Sequence, residues 1–327
     1  MAWARLAIFC LVGAHGVLAG SSPSFLAGEG WLTTAFATAA TIEDALAALA
    51  DGARPVAGGT DLVVGARQGK APLPESLVAI HRIAELAGIA ETDGGLGIGA
   101  LASHAEIASH PVVVERFTAL ADASSIVGSH ATRAHGTLGG NLMNASPAME
   151  TGGPLQCLDA TVTLRSSGGV RSLAVSDLFA GPGATTADDD ELLVSVDVPA
   201  PAPGTGSAYV RLEYRRQMEI AVVGATAVVV LEGPTISDAR VAITALAPTI
   251  RRVPEAEAAL AGSDGGETAI ETAARAAAAA ATPISDVRAS ERYRTAMAEV
   301  IARRAIGFAL ARARGEAVPV PASGVRP

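Results

Sequence analysis

Two periodicities alternate along the chain. Thr41–Ala50 (TIEDALAALA) sets apolar residues at helical spacing behind an N-capping threonine, with acids in the first turn, and predicts a helix. Arg54-Pro55-Val56-Ala57 is a short extended run ending in Gly58-Gly59, after which Thr60-Asp61 open an apolar-periodic stretch, Leu62–Arg67. The pattern is a strand, a glycine turn and a helix start. Ser76–Ile80 and Leu96–Leu101 read as strands, the second leading into Ser103-His104-Ala105-Glu106, a capping box that begins a helix through Ile107. Glu115–Ala123 predicts a further helix, whereas Ser129–Asn144 is polar, rich in glycine and expected to be loop. Ala160–Leu164, Arg171–Val175 and Glu191–Val198 predict strands, separated by the Gly181-Pro182-Gly183 turn and a solvated Asp188-Asp189-Asp190 loop.

Pro199–Gly206 (PAPAPGTG) is the clearest linker, rich in Pro and Gly and free of charge. Beyond it the pattern changes. Tyr209–Tyr214, Ile220–Leu231 and Ala239–Ala245 predict strands of one small sheet, and Glu255–Arg314 is Ala-rich helix, with Ala273–Ala281 expected as a packed surface helix. The fold class is α+β. At about 150 residues per domain, a chain of 327 residues makes two domains, and the division falls at about Pro203.

Composition narrows the possible functions. The chain is 50% hydrophobic but only 3% aromatic, its net charge is −9, and Lys70 is its one lysine. An acidic, aromatic-poor chain without long basic runs does not suit a nucleic-acid partner. Only Cys10 and Cys157 are present, too few for a disulfide framework, a four-cysteine zinc site or an iron–sulfur cluster. Residues 1–20 read as a short secretory signal, with Arg5 ahead of an apolar run from Leu6 to Leu18 that His15 interrupts, or equally as a leader from an upstream start codon. Neither this run nor Ile220–Leu231 reaches the ~20 apolar residues a membrane span needs, and the second reads as a buried strand.

Chemistry concentrates in two glycine pairs, Ala57-Gly58-Gly59-Thr60-Asp61 and Gly136-Thr137-Leu138-Gly139-Gly140-Asn141. Each lacks bulk where backbone N–H groups could face an anion, and the first precedes a helix whose amides and dipole favour phosphate. A dinucleotide diphosphate suits two such loops closing from opposite sides. Gly97-Ile98-Gly99-Ala100-Leu101-Ala102 fits a loose nicotinamide fingerprint but lies within a strand and lacks the following acid, so it is set aside. His104, His110, His130 and His135 do not share a helix face with a carboxylate; solvated or capping roles are expected for His104 and His110, and His130 and His135 lie next to the second glycine loop. Cys157 reads as a core residue. No triad or acid–base pair stands out, which points to a bound cofactor as the carrier of the chemistry.

The ordered motifs RPVAGGTDL (Arg54–Leu62), IGA (Ile98–Ala100), GTLGGNLMNASPAMET (Gly136–Thr151), LDATVTL (Leu158–Leu164), ELLVSVDVP (Glu191–Pro199), AYVRLEYRR (Ala208–Arg216) and VRASERYR (Val287–Arg294) are similar to the FAD-binding medium subunit of molybdenum hydroxylases of the carbon monoxide dehydrogenase and xanthine dehydrogenase type. The resemblance runs from about Leu32 to about Arg314. It implies an FAD-binding fold of the cresol methylhydroxylase and vanillyl-alcohol oxidase type at 32–203, in subdomains of about 32–85 and 86–203. A C-terminal α+β domain of the CO dehydrogenase flavoprotein type at 204–316 and a flexible tail at 317–327 would follow, with 1–31 as an extra leader.

By the same resemblance Arg54, Pro55, Val56, Ala57, Gly58, Gly59, Thr60, Asp61 and Leu62, with Gly136, Thr137, Leu138, Gly139, Gly140 and Asn141, hold the FAD diphosphate. Glu150 stands where the family has Asp near the flavin, Arg211 stands where it has Lys, and Leu192 or Leu193 packs on the cofactor. Both polar departures keep their charge. The implied role is an oxidoreductase subunit that passes electrons from the [2Fe–2S] clusters of a small partner through FAD to NAD, a quinone or oxygen, while a large partner holds the molybdopterin, in a dimer of heterotrimers. The cytoplasm is expected, since no twin-arginine motif is present for export of a folded flavoprotein. A stand-alone flavin oxidoreductase, or a protein that has lost FAD, is the alternative.

Overall fold

The computed structural model describes residues 34–69 and 71–322; the expected leader at 1–31 and Cys10 lie outside the described residues. The first layer runs β1 (Ala35–Thr38), α1 (Ile42–Ala50), β2 (Arg54–Val56), α2 (Leu62–Arg67) and β3 (Ser76–Ala79). Its strands form a parallel sheet in the order β1-β3-β2. Thr41 and Asp44 complete a capping box at the start of α1, whose Ile42, Ala45, Leu46 and Leu49 pack against Val78, Ile80 and Leu86.

The second layer is a five-stranded antiparallel sheet in the order β4-β5-β10-β6-β7, built from β4 (Ile89–Thr92), β5 (Gly95–Gly99), β6 (Thr161–Ser166), β7 (Gly169–Ala174) and β10 (Leu192–Pro199). Between β5 and β6 the chain makes α3 (His104–Ser109), α4 (Pro111–Arg116), α5 (Thr118–Ile126), α6 (His130–His135), α7 (Leu138–Met143) and α8 (Gly152–Cys157). Between β7 and β10 lie α9 (Val175–Leu178) and a small ribbon, β8 (Phe179–Gly181) and β9 (Ala184–Thr185). The helix expected at Glu115–Ala123 is two helices, broken where Phe117 leaves helical geometry at φ −120° and ψ 47°.

Ser129–Asn144, expected as loop, is mostly helical. Ser129 accepts the Thr132 N–H and Thr137 accepts the Gly140 N–H, so each short helix carries its own cap. Glycines inside α7 lower its propensity, but close packing requires Gly139. A side chain on Gly139 would sit 2.8 Å from both the Cβ and the carbonyl oxygen of Ala100. Tertiary contact decides this helix against its composition.

The third layer, β11 (Thr205–Leu212), β12 (Val223–Glu232), β13 (Thr235–Thr244) and β14 (Arg251–Arg252), is antiparallel in sequence order. One face packs on α10 (Pro254–Leu260), α11 (Glu267–Ala279) and α12 (Glu291–Ala313). Val228 and Ala242 on the opposite face join the core of the second layer, with α8 beneath. A strand buried on both faces need not alternate polar and apolar residues, which explains the continuous apolar run of β12. Ala298, Ala302, Ala305 and Ala309 form a small-residue stripe on α12, and Gly206 of β11 lets its backbone approach so closely that a Cβ there would overlap Ala309.

Residues 317–322, expected as a flexible tail, are tied down instead: Ala322 is buried and its N–H donates 2.9 Å to Asp122 Oδ1. Asp122 also accepts from Arg312 Nη1 at 2.6 Å, Arg312 Nη2 at 2.9 Å and the Tyr209 N–H at 3.1 Å. Removing one partner of a buried, bidentate pair leaves the other charge unmet and costs about 3–5 kcal/mol. Asp122→Ala should lower the unfolding free energy by that amount in chemical denaturation, and a loss below about 1 kcal/mol would show that the pair does not join these segments.

Candidate functional site: two glycine loops and a buried charge cluster

The two glycine loops, 75 or more residues apart in the chain, meet in the structure. A Cβ on Gly58 would overlap the carbonyl of His135 and sit 3.2 Å from the Gly136 nitrogen, while Gly136 faces Thr60 Oγ1 and His104 Cδ2. Gly59 takes φ +67°, a conformation side chains disfavour, to turn the chain from β2 into α2.

Their backbone groups are used differently. In the second loop the Leu138 and Gly139 N–H groups donate to the carbonyls of Ala102 and Ala100, both at 2.9 Å, and Asn141 N–H donates to Thr137 O. Gly140 N–H donates 3.1 Å to Thr137 Oγ1. In the first loop, among the described residues, no acceptor receives the N–H of Gly58, Gly59, Thr60 or Asp61. The expectation that both loops present amides to an anion is therefore corrected: the first loop presents them, and the second is a rigid wall anchored to β5. The set-aside fingerprint lies where the sequence places it, in β5, with Gly99 packed against the carbonyl of Leu86.

A second constellation lies behind the loops. Glu150 and Arg211 are both buried, with Arg211 Nη1 2.5 Å from Glu150 Oε1 and Arg211 Nε donating 2.6 Å to Glu213 Oε2. Thr151 Oγ1 donates 2.6 Å to Asn141 Oδ1, which couples this cluster to the end of the second loop. Burial pushes the Glu150 carboxyl up to about 7, against the pull of Arg211. Two leucines expected to pack on the cofactor lie in β10. Leu192 and Leu193 are each 3% exposed, with Leu192 in the core under α1 and Leu193 in the core of the five-stranded sheet. Arg54 and Asp61 are exposed, and Asp61 caps α2 without a side-chain hydrogen bond.

His104, expected to be solvated or capping, is only 1% exposed, and its Nδ1 has no partner among the described residues. Burial, helped by the charge of Arg133, holds its imidazole down at about 4. Arg133 itself is 8% exposed and had drawn no notice in the sequence. The available signal was its isolation, for no acid occurs between Asp122 and Glu150. Cys157 is buried in α8, which raises its thiol well above the ordinary range and leaves it unreactive, as read from the sequence.

Residues 32–201 match the family model for the FAD binding domain in molybdopterin dehydrogenase, and residues 208–309 that for the CO dehydrogenase flavoprotein C-terminal domain. The chain belongs to this flavoprotein family. It is 33% identical to the carbon monoxide dehydrogenase medium chain of Hydrogenophaga pseudoflava over 73% of its own length and 83% of that chain. To the xanthine dehydrogenase FAD-binding subunit of Escherichia coli O157:H7 it is 29% identical over 85% and 96%. Carbon monoxide dehydrogenase from Hydrogenophaga pseudoflava superposes with a TM-score of 0.82 at 33% identity, covering 85% of this flavoprotein and 98% of that chain. FAD is its cofactor and oxidoreduction its class of chemistry.

Two predictions follow from the geometry. Gly58→Ala must push the loops apart and should cost about 1–3 kcal/mol, whereas Gly65→Ala, with open space around its Cβ within α2, should be neutral or stabilising by up to about 1 kcal/mol; thermal unfolding of the two variants checks this. His104 and Glu150 give opposite pH slopes. The unfolded state binds a proton at His104 between about 6.5 and 4 that the folded state does not, so that contribution to stability is lost as pH falls through this window. Glu150 is protonated in the folded state up to about 7, so its contribution declines as pH rises from about 4.5. Acidification should therefore destabilise Glu150→Gln and stabilise His104→Asn, by on the order of 2–3 kcal/mol, measured by urea unfolding at pH 7 and pH 4.5.

Proposed function

We propose that this chain is the flavin-bearing electron-transfer subunit of a molybdenum hydroxylase. Electrons arrive singly from [2Fe–2S] clusters on a small partner and leave to NAD, a quinone or oxygen; a large partner carries the molybdopterin, and the assembly is a dimer of heterotrimers. FAD supplies the ability to accept electrons one at a time and release them as a pair. The FAD-binding part is assigned to 32–203, in subdomains of about 32–85 and 86–203, the C-terminal part to 204–316, and the complex to the cytoplasm. The chain has two cysteines, too few for a cluster, which supports an electron source on another subunit. Among the described residues no helix is long and apolar enough to cross a membrane.

The observation that carries this reading is the meeting of the two glycine loops, with four adjacent amides on Gly58–Asp61 lacking acceptors among the described residues. Such a row of donors beside a wall without side chains fits a diphosphate. Gly58, Gly59, Thr60 and Asp61 would bind it through the backbone, with Gly136, Thr137, Leu138, Gly139, Gly140 and Asn141 closing the opposite side. The buried Glu150–Arg211 pair would set the polarity at the flavin. The contact of Arg211 with Glu150 supports the reading that Glu and Arg stand in for the Asp and Lys of the resemblance as a matched couple. Leu192 and Leu193 would act through the cores they fill.

The purified chain should show flavin absorption bands and release FAD on heating at near-equimolar ratio. Gly59→Ala and Gly140→Ala should each weaken FAD binding by about tenfold or more, equivalent to about 1.4 kcal/mol; unchanged flavin occupancy in both would overturn the loop assignment. Co-expression with a two-cluster iron–sulfur protein and a molybdopterin protein should yield one complex. Persistence of the chain as a monomer under those conditions would favour a stand-alone flavin oxidoreductase.

A further inference from the structure

Thr151 occupies the N-cap of α8, where a threonine hydroxyl ordinarily accepts an N–H of the first helical turn, yet it makes no such bond. Its Oγ1 instead reaches back ten residues and donates 2.6 Å to Asn141 Oδ1 in the second glycine loop. Thr151 is sealed from water, and among the described residues this is the one hydrogen bond its hydroxyl makes. A buried hydroxyl proton without an acceptor is costly, so the bond fixes which end of the Asn141 carboxamide turns inward. That end is the oxygen.

The nitrogen end is left to do something else. Asn141 is half-buried, and its Nδ2 has no acceptor among the described residues. The backbone donors beside it are spent: Leu138 and Gly139 on the carbonyls of Ala102 and Ala100, Gly140 on Thr137 Oγ1 and Asn141 on the Thr137 carbonyl. From Leu138 to Asn141 the loop therefore retains the carboxamide as its free donor. The residue that holds it is itself fixed. Glu150, the neighbour of Thr151, pairs with Arg211 of β11, and a Cβ on Gly153 would lie 2.6 Å from Thr226 Oγ1, so the start of α8 is seated directly on the third sheet.

We propose that Thr151 is a positioning residue for cofactor binding: by holding Asn141 Oδ1 it presents the Asn141 NH2 group as the second loop's donor to FAD. This rests on the reading that the two glycine loops hold FAD. The first loop offers backbone amides, and the second offers one side-chain amide whose orientation is set in advance. A carboxamide already locked in place loses little freedom when the ligand arrives. Thr151, being buried, acts through Asn141 and does not itself touch the cofactor.

The test is FAD titration of the full apo chain, followed by flavin fluorescence quenching, in wild type, Thr151→Val, Thr151→Ser, Asn141→Asp, the double variant Thr151→Val/Asn141→Asp and Gly59→Ala. Thr151→Val keeps the shape and removes the hydroxyl, so FAD should bind about tenfold more weakly, whereas Thr151→Ser keeps the hydroxyl and should stay within about twofold of wild type. Asn141→Asp removes the donor and should weaken FAD at least as much as Thr151→Val. The double variant should bind no more weakly than Asn141→Asp alone, because two residues that act through one group do not add. In the wild-type chain the side-chain NH2 signals of Asn141, identified in heteronuclear NMR by their loss in Asn141→Asp, should shift when FAD binds. Equal losses in Thr151→Val and Thr151→Ser, or additive losses in the double variant, would assign Thr151 to packing and overturn the proposal. An Asn141 NH2 signal that FAD leaves unmoved would do the same, and that measurement does not depend on whether Thr151→Val folds. If Gly59→Ala weakens FAD and Thr151→Val does not, this proposal fails alone; if neither does, the loop reading fails with it.

Discussion

Asp122 is sealed from water, and its charge is met by donors from three places distant in sequence: the Arg312 guanidinium near the end of α12, the backbone of Tyr209 in β11 and the backbone of Ala322 beyond the last helix. Arg312 in turn donates to the carbonyls of Ser207 and Pro319. A carboxylate with its lone pairs so occupied fixes direction as well as distance. It holds α5 against the third sheet. Because β11 carries Arg211 two residues after Tyr209, the same clamp sets the position of the buried charge cluster behind the loops. The order of α12 and of residues 317–322 depends on it too.

Backbone accounting distinguishes the two glycine loops more sharply than composition does. Both contain a glycine pair followed by a polar residue, yet one has its amides bonded to the turn after β5 and to its own threonine cap, and the other leaves four without acceptors among the described residues. The difference arises because Gly139 packs against the end of β5, whereas the turn after β2 has no strand beyond it to bond to. One loop is thereby a support and the other a donor surface. A six-residue helix such as α2 contributes little macrodipole, so the donors that matter belong to the turn itself.

In a chain of net charge −9, Arg133 lies in a stretch that carries no acid from Ala123 through Met149. His104 stays neutral because burial and Arg133 both oppose its protonation. Glu150 and Glu213 meet Arg211 through their carboxylates, and Glu219 meets it through its backbone carbonyl while its carboxylate takes Arg215. The result is a matched set of charges around Arg211.

The sequence alone determined the parts that local physics controls. The capping boxes at Thr41 and Ser103, the extended run before Gly58-Gly59, the longer strands of the three sheets, though not the edge strands β1, β4 and β14, and the burial of Cys157 were legible because periodicity, caps and turn residues act within a few positions. The motif order was legible too, and with it the family. Tertiary structure decided the rest. Composition argues against α6 and α7: α6 forms on the Ser129 cap and packs on α3, and α7 forms where Gly139 packs on Ala100. Leu192 and Leu193 turn into cores because the pleat of β10 sends neighbouring residues to opposite faces. His104 is buried and residues 317–322 are held because long-range packing brings together groups that no local pattern connects.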